Sequence, residues 1–110
     1  RATGWGAEIA LLVNAPVASY GETLLSYFND YGLALPVGSD SAGCNGNVNW
    51  ISDLPSKVMV MFTGMKVELR DGSPLWGVGF EPDVPVGPSL TGIRAGRDEV
   101  REAALRALAE

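Results

Sequence analysis

The sequence predicts an α/β fold: a β-α-β unit, then an antiparallel β section, then a C-terminal helix. Three observations predict it. First, the apolar run "AEIALLVN" (7–14) is followed by a stretch with apolar residues at helical spacing and then by a second apolar run, "LALPVG" (33–38). Strand, helix, strand with tight connections favours parallel strands joined by a right-handed crossover. Second, "NVNWI" (47–51), "KVMVMFT" (57–63) and "MKVELR" (65–70) are strand-like runs separated by turn signals, as in antiparallel β structure. Third, residues 98–109 place Val100, Ala103, Ala104, Ala107 and Leu108 on one face of an amphipathic helix.

Each element has a local reason. The run 7–14 is short, continuous and apolar, as in a buried strand, and Asn14, Ala15 and Pro16 punctuate its end. In 19–31, Leu24, Leu25, Phe28 and Tyr31 recur at helical spacing, and Gly32 stands where a helix stops. Leu24, Leu25 and Phe28 are expected to pack this helix across the two parallel strands. The stretch "SDSAGCNGNVN" (39–49) is rich in Gly, Asn and Ser and reads as a loop of the kind that lines a site. A turn is expected over Asp53 to Ser56, and "DGS" (71–73) turns the chain back. "GVGFEPDVPV" (77–86) holds too much Gly and Pro for a central strand. No internal repeat and no low-complexity tract interrupts this order.

Composition limits the function. One hundred and ten residues, 46% hydrophobic and 19% charged, suit one ordered domain or part of a larger one. A chain of this size buries roughly two-thirds of its unfolded surface, enough for one modest core. The net charge of −5 makes nucleic acid and anionic membranes poor partners. The longest apolar stretches, such as Ile9 to Val13, are too short to span a bilayer. There is no histidine, so a Ser-His-Asp triad cannot be completed within these residues. A histidine zinc site is excluded, and the single Cys44 builds neither a thiolate zinc site nor an intrachain disulfide. No metal and no cofactor is expected. The opening "RATGWGAE" lacks an initiator Met, as in a mature product or an excised piece.

"VASYGETLLSYFNDYG" (17–32) carries the chemistry. Ser19 precedes the helical pattern and Glu22 follows three residues later, the spelling of a capping box that satisfies two backbone N–H groups. On the motif alone the cap is the simpler reading. A serine nucleophile at a helix N-terminus has the same spelling. It would need exposure after a parallel strand, and backbone N–H donors helped by the helix dipole.

Taken together, the segments resemble the tail-specific, or carboxyl-terminal processing, serine peptidases and their tricorn-like relatives. "ALLVNAPVASYGETL" resembles the family's strand, small-residue segment, Ser-x-x-Glu and helix. "NDYGLALPVGSDSAG" resembles its Asp-x-Gly, strand, Val-Gly and Gly-rich loop. "MKVELRDGSPLWGVGFEPDVPV" resembles the hairpin leading into Gly-Val-x-Pro-Asp and a closing valine. The resemblance runs from about Ile9 to the terminal helix. It implies a crotonase-like α/β fold and peptide hydrolysis through an acyl-enzyme. By this match Ser19 is the nucleophile and the backbone N–H of Tyr20 an oxyanion donor. The family's other donor comes from an upstream Gly-rich segment that this chain lacks.

One departure matters. Bacterial and plastid members pair the serine with a lysine in the loop after the second strand, and counting forward that position falls on Cys44. A neutral thiol does not replace a desolvated amine as general base. Lys57 and Lys66 are the only lysines, and both fall in expected strands beyond the loop. Tricorn-like members carry a histidine base upstream. The chain therefore reads as the C-terminal portion of a serine peptidase domain, inactive alone, with the base left upstream. The exposed surface of such a piece implies self-association. The implied partner is a peptide or protein substrate, with substrate-binding residues unassigned. The family suggests a bacterial cell envelope or periplasm. Retinoid-binding repeats share the fold without being known for proteolysis, so a non-catalytic ligand- or peptide-binding module is the alternative, and a structural module that pairs exposed strands a third.

The remaining candidates have plainer readings. Cys44 among glycines reads as a small buried filler. Asp30 coincides with a family Asp but ends a helix. Glu81 and Asp83 suit a turn better than a base-orienting role. Trp5, Trp50 and Trp76 read as core or interface, and Arg94, Arg97 and Arg101 as a solvated face.

Overall fold

The computed structural model describes residues 7–52, 55 and 57–110. In chain order the elements are β1 (Ala10–Val13), α1 (Tyr20–Asp30), β2 (Leu35–Gly38), β3 (Val48–Ile51), β4 (Val60–Thr63), β5 (Val84–Pro85), α2 (Leu90–Arg94) and α3 (Glu99–Ala109). They form a three-stranded sheet in the order β1-β2-β5 and a separate β3-β4 pair. The three-stranded sheet is parallel throughout and the pair antiparallel. The α/β class and the β-α-β unit are as the sequence implied. Trp5, and Asp53, Leu54 and Ser56 of the expected turn, lie outside the described residues.

β1 and β2 read as continuous apolar runs because helices cover both faces of the sheet. Along a strand successive side chains point to opposite faces. Leu11 and Val13 of β1 therefore join Leu25 of α1, with Leu75 and Phe80, in one cluster. Ala10 of β1 and Leu35 and Val37 of β2 join Ala103 and Ala104 of α3 in the other. Fully burying Val13 or Val37 is worth about 1.5–3 kcal/mol each. In α1, Leu25 is buried and Phe28 half-buried, whereas Leu24 is exposed. Neighbouring helical residues point about 100° apart, so the sheet takes Leu25 and leaves Leu24 outside. The terminal helix buries the face expected of it: Ala103 and Ala104 are buried, and Val100, Ala107 and Leu108 half-buried.

Gly32 ends α1 as expected. With φ 61° it adopts the left-handed turn that glycine takes at no steric cost. Its N–H donates to the Asn29 carbonyl at 2.9 Å, and the Leu33 N–H donates to Phe28 at 2.8 Å, the paired bonds of a Schellman stop.

β2 is central yet contains the buried Pro36, which has no N–H to donate. The N–H groups of Leu35 and Ser39 reach Ile9 and Val13, so odd-numbered residues donate toward β1. Alternation turns the Pro36 nitrogen to the opposite side. There the β5 ladder engages only Val37 and Gly38. The short β5 is an edge strand, in keeping with its Gly- and Pro-rich surroundings.

The middle third is less regular than its pattern. "MKVELR" forms no ladder; its one pairing is Glu68 with Pro74. Residues 57–59 precede β4, and Lys57 and Lys66 are not in strands. The "DGS" turn is present, with the Ser73 N–H and hydroxyl both donating to Asp71 Oδ1, at 2.9 and 2.6 Å. All four residues of β3, and three of four in β4, are exposed.

Candidate active site

Ser19 stands at the junction of β1 and α1 and occupies the helix N-cap position. Its backbone is not that of an ordinary cap. Serine caps take extended dihedrals, whereas Ser19 has φ 54° and ψ −120°, a region that L-residues reach only under constraint. The constraint is visible on both sides of the residue. The Ser19 N–H donates to the Cys44 carbonyl at 2.8 Å and to Glu22 Oε2 at 3.2 Å. The Ser19 carbonyl accepts from the N–H groups of Glu22 and Thr23, at 3.0 and 3.2 Å. Ser19 and Glu22 form a capping box, in which the Ser19 side chain meets the Glu22 backbone N–H and the Glu22 carboxylate the Ser19 N–H, although the approach of the Ser19 hydroxyl is too loose for a cap hydrogen bond. Ser19 is exposed, with its oxygen available to a reactant.

The positive end of α1 supplies the donor. Among the described residues the N–H of Tyr20, first in the helix, makes no hydrogen bond. An unused N–H at a helix N-terminus beside an exposed hydroxyl is the arrangement that stabilises an oxyanion. The Ser19 N–H is already committed inward.

Behind Ser19 lies a carboxylate whose reach the sequence did not reveal. Glu22 is fully buried. Its Oε1 accepts from the Ser41 hydroxyl at 2.6 Å and the Gly43 N–H at 2.7 Å, and its Oε2 from the Cys44 and Ser19 N–H groups, both at 3.2 Å. Ser41 Oγ in turn accepts from the Phe80 N–H at 2.8 Å. One side chain thus ties Ser19 to the loop after β2 and, through Ser41, to the 75–80 segment. The signal was present in Ser-x-x-Glu, since a capping box uses only part of a carboxylate's accepting capacity.

The loop after β2 brings Cys44 directly against Ser19 through the backbone. Its side chain is exposed, which corrects the expectation of a buried filler. Trp50 and Trp76 are likewise exposed and not core. Asp30 contributes its carbonyl to Arg70 Nη1 at 3.2 Å. Glu81 and Asp83 are exposed in the segment before β5. Arg94, Arg97 and Arg101 are exposed as expected, with Arg97 paired to Glu102. Lys66 pairs with Glu68 at 2.5 Å.

Comparison with known proteins identifies a family and a shared fold. The sequence model of peptidase family S41 matches residues 1–86. No curated protein sequence matched the chain. Among solved structures, a Parabacteroides merdae protein assigned as a peptidase superposes with a TM-score of 0.85 at 23% identity, covering 96% of this chain and 33% of that one. The tricorn protease gives 0.80 at 20% identity, covering 92% and 10%. Mature CPAF, in complex with lactacystin, gives 0.78 at 22% identity, covering 91% and 19%. The chain thus spans a third or less of these three structures. At such identities the superpositions establish a shared fold, and with the family match they establish that this chain is a member of peptidase family S41.

Proposed function

We propose that this chain carries the nucleophile half of a serine peptidase site that cleaves peptide or protein substrates. The observation that carries the proposal is the strained, exposed Ser19, its hydroxyl making no cap hydrogen bond and set beside the unused Tyr20 N–H. Ser19 Oγ attacks the scissile carbonyl carbon, and its proton passes to a base. The Tyr20 N–H receives charge developing on the carbonyl oxygen. The C–N bond then breaks, the amine leaves with the proton, and water releases the acyl group from Ser19. The chain holds no histidine, and Cys44 stands where lysine-dependent members hold their base. The base and a second oxyanion donor therefore come from elsewhere in the parent protein, and these residues alone are inactive. The family resemblance carries the expected location, a bacterial cell envelope or periplasm.

The test uses the full-length parent protein and a fluorophosphonate probe, with mass spectrometry of the modified peptide. Label on Ser19, lost together with peptide hydrolysis in Ser19→Ala and retained in Cys44→Ala, is the expected result. A folded parent that binds peptides, takes no label and hydrolyses none would overturn the proposal in favour of a binding module.

A further inference from the structure

We infer that Glu22 is a positioning residue for Ser19, holding the nucleophile's backbone and the 41–44 loop in one rigid unit. The inference rests on the reading of Ser19 as nucleophile. Buried ionisable side chains are uncommon unless paired or hydrogen-bonded. Glu22 is fully buried and has no basic partner in its ion pairs or hydrogen bonds among the described residues; every partner it accepts from is a neutral N–H or hydroxyl. A helix cap needs only the bond from the Ser19 N–H. The other three come from residues 19 to 22 positions away in sequence, and they join the segment around Ser19 to the loop after β2. The Ala42 N–H to Val17 carbonyl and Ser19 N–H to Cys44 carbonyl bonds, both at 2.8 Å, and the Asn45 Nδ2 to Thr23 Oγ1 bond at 3.0 Å cross the same junction, but of these acceptors only the Glu22 carboxylate gathers several donors of the loop at one point.

The arrangement has a chemical consequence. Ser19 holds dihedrals that it would leave if released. With the Ser19 N–H drawn inward by Glu22 and Cys44, the Tyr20 N–H is the one that faces out. Releasing Glu22 lets the Ser19 peptide rotate, which moves the hydroxyl and the oxyanion donor together. The rest of α1 stays in place through Leu25. The loop beyond is held by the same carboxylate, and its close packing shows how little slack exists: a Cβ at Gly43 would lie 2.7 Å from the Gly79 nitrogen.

Glutamine does not substitute. An amide presents one accepting oxygen and one donating NH2. Either Oε1's place or Oε2's place must then be taken by NH2, which faces the Gly43 N–H in one orientation and the N–H groups of Ser19 and Cys44 in the other.

The experiment compares full-length wild type, Glu22→Gln and Ser41→Ala, with the Leu24→Ala variant as an exposed-helix control. Folded protein is quantified by near-ultraviolet circular dichroism and urea unfolding. The fluorophosphonate labelling rate at Ser19 is then resolved into a saturation constant and a limiting rate, per folded molecule. A misplacement of about 1 Å costs on the order of a hundred-fold in rate. The expected result is a limiting rate lowered by about that factor in Glu22→Gln, with the saturation constant unchanged. Ser41→Ala should show a smaller loss and Leu24→Ala none. Hydrogen exchange should quicken at the amides of Ser19, Gly43 and Cys44. A folded Glu22→Gln labelled at the wild-type rate would overturn the positioning role and leave the nucleophile reading standing. Wild type that takes no label at Ser19 would overturn both.

Discussion

Replacing Ser19 by glycine should stabilise the protein while removing its chemistry. An exposed residue at an ordinary N-cap behaves in the opposite way: glycine there costs a few tenths of a kcal/mol, and alanine about 1 kcal/mol, because the capping hydroxyl is lost. Here the capping-box contact of the hydroxyl with the Glu22 N–H closes no full hydrogen bond, so Ser19→Ala should cost less than the ordinary cap loss of about 1 kcal/mol. The backbone term decides the glycine. A non-glycine residue held at φ 54° and ψ −120° carries strain of about 1–3 kcal/mol, which glycine does not incur. Against this, glycine's extra freedom in the unfolded chain costs roughly 0.5–1 kcal/mol. The difference leaves Ser19→Gly more stable than wild type by about 1 kcal/mol. The assay is urea unfolding of wild type, Ser19→Ala and Ser19→Gly, where the midpoint should rise for glycine with the slope unchanged. A glycine variant equal to or less stable than wild type, with alanine about 1 kcal/mol worse still, would restore the simple cap and refute the strain. Such a gain paired with complete loss of hydrolysis is the stability–activity trade-off expected where a reactive group is held under tension.

Other consequences can be measured in the same way. Gly79→Ala should destabilise by about 3 kcal/mol, from a backbone at φ 91° and a Cβ 2.6 Å from the Ser41 carbonyl oxygen; a loss under 1 kcal/mol in urea unfolding would contradict the close approach. Acid should release α3 from the segment ahead of α2. The Ser89 N–H and hydroxyl donate to Glu99 at 2.5 and 3.1 Å and hold its carboxyl below the usual range, while hydrogen bonding from Arg97 does the same for Glu102. A carboxyl depressed on folding contributes stability above its unfolded pKa, about 4.3, and loses it as pH falls through the lower folded value. Protection of the Ser89 amide, relative to its intrinsic exchange rate at each pH, should therefore fall below about pH 4, and Glu99→Gln should lose it at neutral pH as well. Residues 1–110 produced alone should self-associate through the exposed strands β3 and β4; a monodisperse monomer into the millimolar range, by light scattering, would contradict this.

The sequence made the β-α-β unit legible because its cues are local and agree with one another: two apolar runs, helical spacing and a glycine stop. The same cues could not choose between Leu24 and Leu25, since adjacent leucines fit either rotation of the helix. β5 escaped because two residues, one of them proline, carry no period at all. α2 escaped because five residues with Gly92 inside lack a helical signature; Gly92 is there because the Glu99 side chain fills the place of its Cβ. "MKVELR" alternates as a strand should, yet alternation reports only that Val67 and Leu69 face the core, not that a neighbouring strand exists. At the candidate site, the motif singled out Ser19, and the structure brings the backbone of Cys44 against it, as the family spacing implied. The role of Glu22 was hidden because its partners lie around twenty residues away, and nothing in a local motif says who fills a carboxylate's remaining lone pairs.

The ribbon formed by β3 and β4 has a chemical consequence of its own. The protein's three methionines, Met59, Met61 and Met65, all lie on or beside it and are all exposed. Oxidation to the sulfoxide turns a flexible apolar side chain into a polar one, so methionine oxidation falls on a single region of the molecule. Wherever another surface covers the ribbon, the three thioethers are shielded together, and the extent of sulfoxide formation in the peptides that carry them becomes a direct gauge of that cover. Conversely, once oxidised, the ribbon is a poorer apolar surface, and any assembly that depends on it inherits a sensitivity to oxidants that the Ser19 hydroxyl does not share.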